Sequence, residues 1–169
     1  MRMCAAIWVS VLALASAGCG ELGNVFGNPQ DRAKHTLSDL DIQPFEIGPA
    51  SDWAEQGLYL DYANSHQVAL KSDHGMLVAI LLISPVTGEA VQYDRLSNLF
   101  KDPQSGEMYT TDGVKWGGDE DRPSLARCRI RHLGPLDDPD VELVVDPSKL
   151  FRQEEQQWSK AASNHLFVE

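Results

Sequence analysis

The stretch that decides the fold is MLVAILLISPVTGEAVQYDRLSNLFKDPQSGEMY, residues 76–109. It begins with eight apolar residues, Met76 to Ile83, which is the length of a strand buried on both faces. Ser, Pro, Thr and Gly residues then form a loop, and short strands are expected at 91–93 and 98–101. A second loop at 102–106 follows. The stretch therefore predicts a buried strand, a loop, a short hairpin and a second loop.

Short strands are also predicted on both sides of this stretch. Their β-branched and aromatic residues, bounded by turn residues, place them at 45–47, 57–62, 67–71, 107–110, 127–133, 141–145 and 165–168. Asp73-His74-Gly75 predicts a hairpin turn before the apolar strand. Strands at this spacing predict an all-β antiparallel sandwich or barrel, with residues 44–169 as one domain. One short helix is expected from Ser148 through Trp158, with Pro147 near its start.

The N-terminal residues have the composition of an export signal. Arg2 precedes an apolar segment, Ala5 to Ala15, that has the length of a signal-peptide core and is too short to span a bilayer. Small residues then lead to Cys19, and this arrangement resembles the bacterial lipobox, in which the cysteine becomes the acylated N-terminus. We expect residues 1–18 to be a lipoprotein signal peptide and Cys19 to anchor the chain in the cell envelope, facing the periplasm or the exterior. An ordinary secretory signal with an incidental cysteine is the alternative.

Composition and charge limit the partners of the exported chain. Residues 19–43 are rich in Gly, Asn, Asp and Gln and predict a flexible tether. The full chain carries a net charge of −11, and loss of the signal removes Arg2, which leaves −12. Such an acidic chain is not expected to bind nucleic acid or anionic lipid surfaces. The acidic clusters at 119–121 and 137–140 are either solvated loops or a docking surface for a basic partner such as a cytochrome.

No catalytic residue is predicted. The five histidines do not pair with cysteines or carboxylates at a tight metal-binding spacing, and no phosphate-binding loop or hydrolase motif is present. Cys128 is the only thiol that we expect to stay free in the mature chain. Strand alternation puts Cys128 and Ile130 on one face, so the thiol is interpreted as a small buried core residue.

The two loops of the deciding stretch resemble the two cluster-binding boxes of the Rieske iron–sulfur domain. The first box, Cys-x-His-x-Gly-Cys, is matched by residues 84–89, and the second, Cys-Pro-x-Cys-His-Gly-Ser-x-Tyr, by residues 102–109. The retained loop framework is Gly88, Pro103, Gly106 and Tyr109. Further framework matches, among them FEIGPASDW, YTTDG, RPSL and RCRIR, extend the resemblance over residues 42–134. The resemblance implies a Rieske-like antiparallel β-sandwich or barrel with a small loop subdomain.

The residues that hold the cluster in this family are absent here. In the family, two Cys thiolates hold one iron and two His imidazoles hold the other. The matching positions are Ser84 and Asp102 for the thiolates, and Val86 and Ser105 for the imidazoles. Glu89 and Gln104 stand where many members carry two further cysteines that link the loops. Because a valine cannot ligate iron and hydroxyls do not replace soft thiolates, we expect no [2Fe–2S] cluster and no other metal.

The resemblance implies a role without chemistry of its own. We expect a lipid-anchored accessory or structural subunit of a membrane-associated electron-transfer complex of the respiratory, quinol-oxidising type, with the lipid bilayer and a cytochrome or similar subunit as partners. One alternative is a true Rieske-type electron-transfer component that keeps a [2Fe–2S] cluster. Another is a module that binds a small ligand or a hard cation at the former cluster site, between the side chains of Ser84, Thr87, Glu89, Asp102, Ser105 and Glu107. Tyr109 matches a family tyrosine that approaches a cluster sulfur, and here we expect it to pack, with its hydroxyl bonded to loop backbone.

Replacing Cys19 with Ser should release the mature protein from the membrane, because each buried CH₂ of an acyl chain contributes about 0.8 kcal/mol to anchoring. Fractionation of membranes and an immunoblot measure the effect. Cys4→Ser, inside the signal peptide, is the matched control and should leave the protein in the membrane pellet. Persistence of the Cys19→Ser protein in the pellet would contradict the lipobox assignment.

Overall fold

The computed structural model describes residues 43–117, 122–135 and 138–167. The signal peptide, lipidation at Cys19 and nearly all of the tether fall on residues 1–42, outside this part of the chain, and they stay predictions. Within the described ranges, none of the helices has the length and apolar character needed to cross a membrane.

The described residues form antiparallel sheets that curl into a half-barrel, so the all-β prediction is confirmed. The strands are β1 (Phe45–Pro49), β2 (Gly57–Tyr59), β3 (Val68–Asp73), β4 (Met76–Leu81), β5 (Gln92–Asp94), β6 (Leu99–Lys101), β7 (Met108–Tyr109), β8 (Lys115–Trp116), β9 (Arg127–His132), β10 (Glu142–Phe151) and β11 (His165–Leu166). The larger sheet has the order β1-β10-β9-β4-β3-β2, with β11 paired to β4, and the smaller has the order β5-β6-β7-β8. A short α-helix, α1 (Ala63–His66), and 3₁₀ turns at Ala50–Trp53 and Ala161–Ser163 complete the described elements.

The central strand β4 separates two hydrophobic cores. Leu77, Ala79 and Leu81 face a core that also contains Cys128 and residues of β3 and β10. The alternate residues Val78 and Ile80 face a second core, which lies against the smaller sheet and includes its Phe100 and Tyr109. The apolar run is therefore buried on both faces, as its composition predicts.

The hairpin between β3 and β4 forms where the sequence predicts it. His74 and Gly75 both have positive φ, +47° and +75°, and they sit at the tip of the hairpin. Two successive positive φ values are typical of the type I′ turn, whose twist matches that of the paired strands. Cys128 is also buried as expected, and burial raises the pKa of its thiol.

The predicted helix from Ser148 through Trp158 is wrong. Strand β10 runs on to Phe151, with a bulge between Asp146 and Leu150 in its pairing with β9. The Asp146 carboxylate accepts hydrogen bonds from the amide and the hydroxyl of Ser148, at 3.1 and 2.5 Å. An Asp-Pro-Ser segment that also suits a helix start here forms a bulge, because the strand continues against β9. β8 has no counterpart among the predicted strands.

The C-terminal segment after β10 folds back over the larger sheet. The side chains of Gln153 and Glu154 accept hydrogen bonds from Ser124, at 2.6 and 2.7 Å. The guanidinium carbon of Arg127 lies over the ring of Trp158, 4.1 Å from the centroid of that ring. Arg127 is therefore covered by the C-terminal segment and is buried. The segment ends by adding β11 to the edge of β4.

Candidate functional site

Two loops with the same residue pattern form the candidate site. Loop 1 (residues 84–89) leaves the end of β4, and loop 2 (residues 102–107) connects β6 to β7. Both read Ser or Asp, Pro, any residue, Thr or Ser, Gly, Glu. These are the stretches that the sequence analysis compares with the two Rieske boxes. The hydrogen bond from Thr87 to Asp102 shows that they lie side by side.

The backbones of the two loops are folded alike. In loop 1 the amide of Ser84 donates to the carbonyl of Glu89 at 2.8 Å, and the amide of Gly88 donates to the carbonyl of Ser84 at 2.9 Å. The corresponding bonds of loop 2 are also 2.8 and 2.9 Å. Gly88 and Gly106 have φ of +78° and +74°, a conformation that glycine adopts without steric cost. The two framework glycines are thus needed by the geometry of the turn.

The first residue of each loop caps the turn that follows it. Ser84 Oγ accepts hydrogen bonds from the amides two and three residues later, at 3.2 and 3.3 Å. Asp102 Oδ1 accepts the equivalent pair, at 2.8 and 3.2 Å. A hydroxyl and a carboxylate satisfy the same local geometry because both offer an acceptor oxygen at the same reach.

The carboxylate of Asp102 also joins the two loops. Its Oδ2 accepts the hydroxyl of Thr87 from loop 1 at 2.8 Å and the hydroxyl of Ser105 from loop 2 at 2.7 Å. Asp102 is completely buried. Burial by itself raises the pKa of this carboxyl, but bonds from the hydroxyls of Ser105, Ser84 and Thr87 and from a backbone amide bring the net pKa below its ordinary range. The carboxylate is therefore held ionised inside the protein.

Tyr109 lies beside the two loops, near Ser84 and Asp102. The side chain is fully buried and packs in the second core with Phe100 and Leu125. Burial raises the pKa of Tyr109, while Ser84 and Arg122 act in the opposite direction. Within the described residues its hydroxyl makes no hydrogen bond of regular geometry. The expected packing agrees with this position. The expected bond from the hydroxyl to loop backbone is wrong, because the hydroxyl has no such partner among the described residues and the side chain of Ser84 lies beside it.

The carboxylate of Glu107 is directed away from the space between the loops. It forms ion pairs with Lys115 of β8 and with Arg122, and these two cations tie the end of loop 2 to the neighbouring chain. Glu89, the equivalent residue of loop 1, is exposed. Of the six side chains expected to line a cation site, Ser84, Thr87, Asp102 and Ser105 come together, and the two glutamates do not join them.

The residues at the former ligand positions do not fit a [2Fe–2S] cluster. Ser84 Oγ and Asp102 Oδ1 accept hydrogen bonds from backbone amides of their own turns, and the hydroxyl of Ser105 donates to Asp102 Oδ2. The side chain of Val86 has no atom that can ligate iron. In the part of the chain that the structure describes, no group of three or more His, Cys, Asp or Glu side chains is arranged to hold a metal ion. Chemically, the arrangement offers a closed set of hydrogen bonds in place of open coordination positions.

One surface depression beside loop 2 has no counterpart in the sequence analysis. It has a volume of about 470 Å³ and is lined by Gln92, Tyr93, Asp94, Lys101 and Pro103. The carboxylate of Asp94 is already occupied by the amide of Leu96 and the hydroxyl of Ser97. Its pKa is lowered mainly by that amide. A depression with these groups engaged carries no evident chemistry.

Comparison with known proteins adds no assignment to this geometry. No protein-family model matches the chain, and no curated protein sequence matches it. What the loops do must therefore be inferred from their residues and their contacts.

Asp102→Asn should destabilise the protein by about 1–3 kcal/mol at neutral pH, because Asn has a single acceptor oxygen and cannot serve both the two backbone amides at Oδ1 and the two hydroxyls at Oδ2. Urea unfolding measures this change. Glu89→Gln, an exposed carboxylate of loop 1, is the control and should shift stability by less than about 0.5 kcal/mol. The pKa of Asp102 is lowered on folding, so its contribution is present above the ordinary value of 3.8 and is lost as the pH falls through the folded value. The acid dependence below that pH should therefore be shallower in Asp102→Asn, and equal slopes would contradict the role given to this carboxylate.

Proposed function

We propose that this protein is a non-catalytic accessory or structural subunit of a membrane-associated electron-transfer complex of the respiratory, quinol-oxidising type. Its domain is proposed to be Rieske-like and free of a [2Fe–2S] cluster. The observation that carries the proposal is the closed hydrogen-bond network between loop 1 and loop 2. That network lies where the resemblance expects the cluster, and it uses three of the four positions that match cluster ligands.

The geometry of the framework residues supports the Rieske-like part of the proposal. Loop 1 follows a strand with both faces buried, and loop 2 lies within a hairpin of a small separate sheet. Gly88 and Gly106 occupy the turn positions that need a positive φ. Tyr109 is buried in the second core, close to Ser84 of loop 1 and Asp102 of loop 2. A sequence that keeps these residues while replacing every ligand is best explained by a scaffold that is retained without its cofactor.

The state of the polar groups supports the non-catalytic part. Asp102 is buried and hydrogen-bonded on both carboxylate oxygens, and Glu107 is neutralised by two cations. A general acid or base must reach a substrate, and neither carboxylate does so here. The contribution of such a domain would come from its surface. We propose partners of two kinds, a lipid bilayer reached through acylated Cys19 and a cytochrome or similar subunit of the complex, and no nucleic acid.

The purified mature protein should be colourless and contain no stoichiometric iron, since Ser84, Val86, Asp102 and Ser105, at the four positions aligned with the cluster ligands, do not fit a cluster. It is produced in cells competent for cluster assembly and examined by iron analysis, visible absorption and paramagnetic resonance after reduction. A cluster-bearing Rieske protein made in the same cells is the control for assembly. About two iron atoms per chain with a visible band would restore the electron-transfer alternative.

The complex itself is tested in membranes of the source cells. Affinity capture of the protein in mild detergent should co-purify subunits that oxidise quinol or carry haem. Deletion of the protein should lower quinol oxidation by membranes, and the wild-type chain should restore it. Unchanged quinol oxidation together with capture of the protein alone would refute the proposed role.

A further inference from the structure

A pair of histidines holds the C-terminal strand in place. Nε2 of His132, at the end of β9, lies 2.7 Å from Nδ1 of His165 in β11. His165 is buried, and the ring of Phe167 meets its ring edge-on. Beyond the histidine contact, β11 pairs with only two residues of β4, and the amide of Phe167 donates to the carbonyl of Gly75 at 2.9 Å. Phe167 also packs against the core that contains Leu77 and Cys128, and the hydrogen bond between the imidazoles is the side-chain hydrogen bond that joins β11 to β9.

This hydrogen bond depends on how many protons the pair carries. With both rings neutral, one of the two facing nitrogens donates and the other accepts. One added proton leaves the bond intact, because a ring can be protonated on its outward nitrogen. A second proton places N–H groups on both facing nitrogens, and two cations then meet at 2.7 Å. Double protonation is therefore incompatible with the observed contact.

Among the described residues, no carboxylate contributes to the electrostatics of either imidazole in a way that would offset this effect. The described charged or titratable groups on the elements around the pair include Arg131 of β9, Glu142 of β10, Asp73 and His74 at the β3–β4 turn, and Lys160 before the last 3₁₀ turn. Asp73 is engaged by His74 at 2.9 Å. Burial lowers the pKa of His132, and burial together with His132 lowers the pKa of His165. The pair is consequently easier to protonate once the strand has left.

The rest of the C-terminal segment is attached by contacts that involve no histidine. Gln153 and Glu154 bond to Ser124, and Trp158 stacks on the guanidinium of Arg127. Gln153 and Trp158 have no titratable side chain, and an arginine stays protonated between pH 5 and 7. A proton-driven opening would therefore stop short of residues 153–158.

We propose that β11 is a pH-operated latch, which the His132–His165 pair keeps closed near neutral pH and which opens when both imidazoles are protonated. Opening frees the last described residues, 164–167, and uncovers the edge of β4 at Met76 and Leu77. An uncovered strand edge offers unpaired backbone groups to another chain. The proposal is independent of the proposed respiratory role, because it rests on contacts at the far end of β4 from loop 1.

Hydrogen exchange of the full chain between pH 5 and 7.5 tests the latch. Protection at the Phe167 amide, corrected for intrinsic exchange, should fall as the pH drops below about 6.5, by up to about 100-fold per pH unit for two protons. The sign follows from the lowered pKa values, since the open state binds more protons than the closed one. The Gln157 amide, bonded to the carbonyl of Arg152 at 3.0 Å, should show no such fall.

His132→Gln leaves one titrating ring and should reduce the fall at Phe167 to no more than about 10-fold per pH unit. His74→Gln, which changes a histidine whose side chain is 86% exposed, should leave the wild-type dependence unchanged. An unaltered pH dependence in His132→Gln, or equal loss of protection at Gln157 and Phe167, would overturn the proposal. An imidazole titration by NMR on the wild-type chain provides the second measurement. Protonation of both rings while Phe167 stays protected would also overturn it.

Discussion

The structure depends on one buried carboxylate. An ionised group with no access to water is tolerated only where hydrogen bonds replace its hydration, and Asp102 obtains them from both loops. Satisfying that charge requires loop 1 to lie against loop 2. Loop 1 ends β4 of the larger sheet and loop 2 lies in the smaller sheet, so the carboxylate couples the two sheets at one end of the second core. Tyr109 is buried in the second core close to Ser84 and Asp102, so packing also contributes to the contact between the two sheets.

The same network leaves no open coordination position on Ser84, Asp102 or Ser105. A redox centre needs soft ligands that stay free of competing hydrogen bonds. Here the acceptor oxygens are spent on backbone amides and neighbouring hydroxyls, and the ionic group of Glu107 is matched by Lys115 and Arg122. Such an arrangement gains stability from being closed. The closed hydrogen-bond network is the observation on which the proposed accessory role rests.

At the other end of β4 the chain relies on a different kind of polar contact. Asp146 shapes the bulge that lets β10 continue, and Arg129 pairs with it, so the charges there are balanced. The contact between His132 and His165 has no carboxylate partner among the described residues and cannot persist when both rings are protonated. The two ends of one strand thus respond differently to acid. The loop end is held by a carboxylate of low pKa, and the C-terminal end is held by imidazoles whose ordinary pKa lies near neutrality.

The sequence by itself determined what depends on near neighbours in the chain. The run from Met76 to Ile83, the turn at His74-Gly75 and the two similar loops are all legible there, because strand burial and turn geometry need only local residue types. Only the tertiary structure decided which distant groups meet. Asp102 finds Thr87 across the loops, and His132 finds His165 across 33 positions. It also decided that Asp146-Pro147-Ser148 forms a bulge and no helix, because pairing with β9 continues on both sides of that segment. Local patterns leave such outcomes open, since the same residues suit either structure until a neighbouring strand supplies the partners.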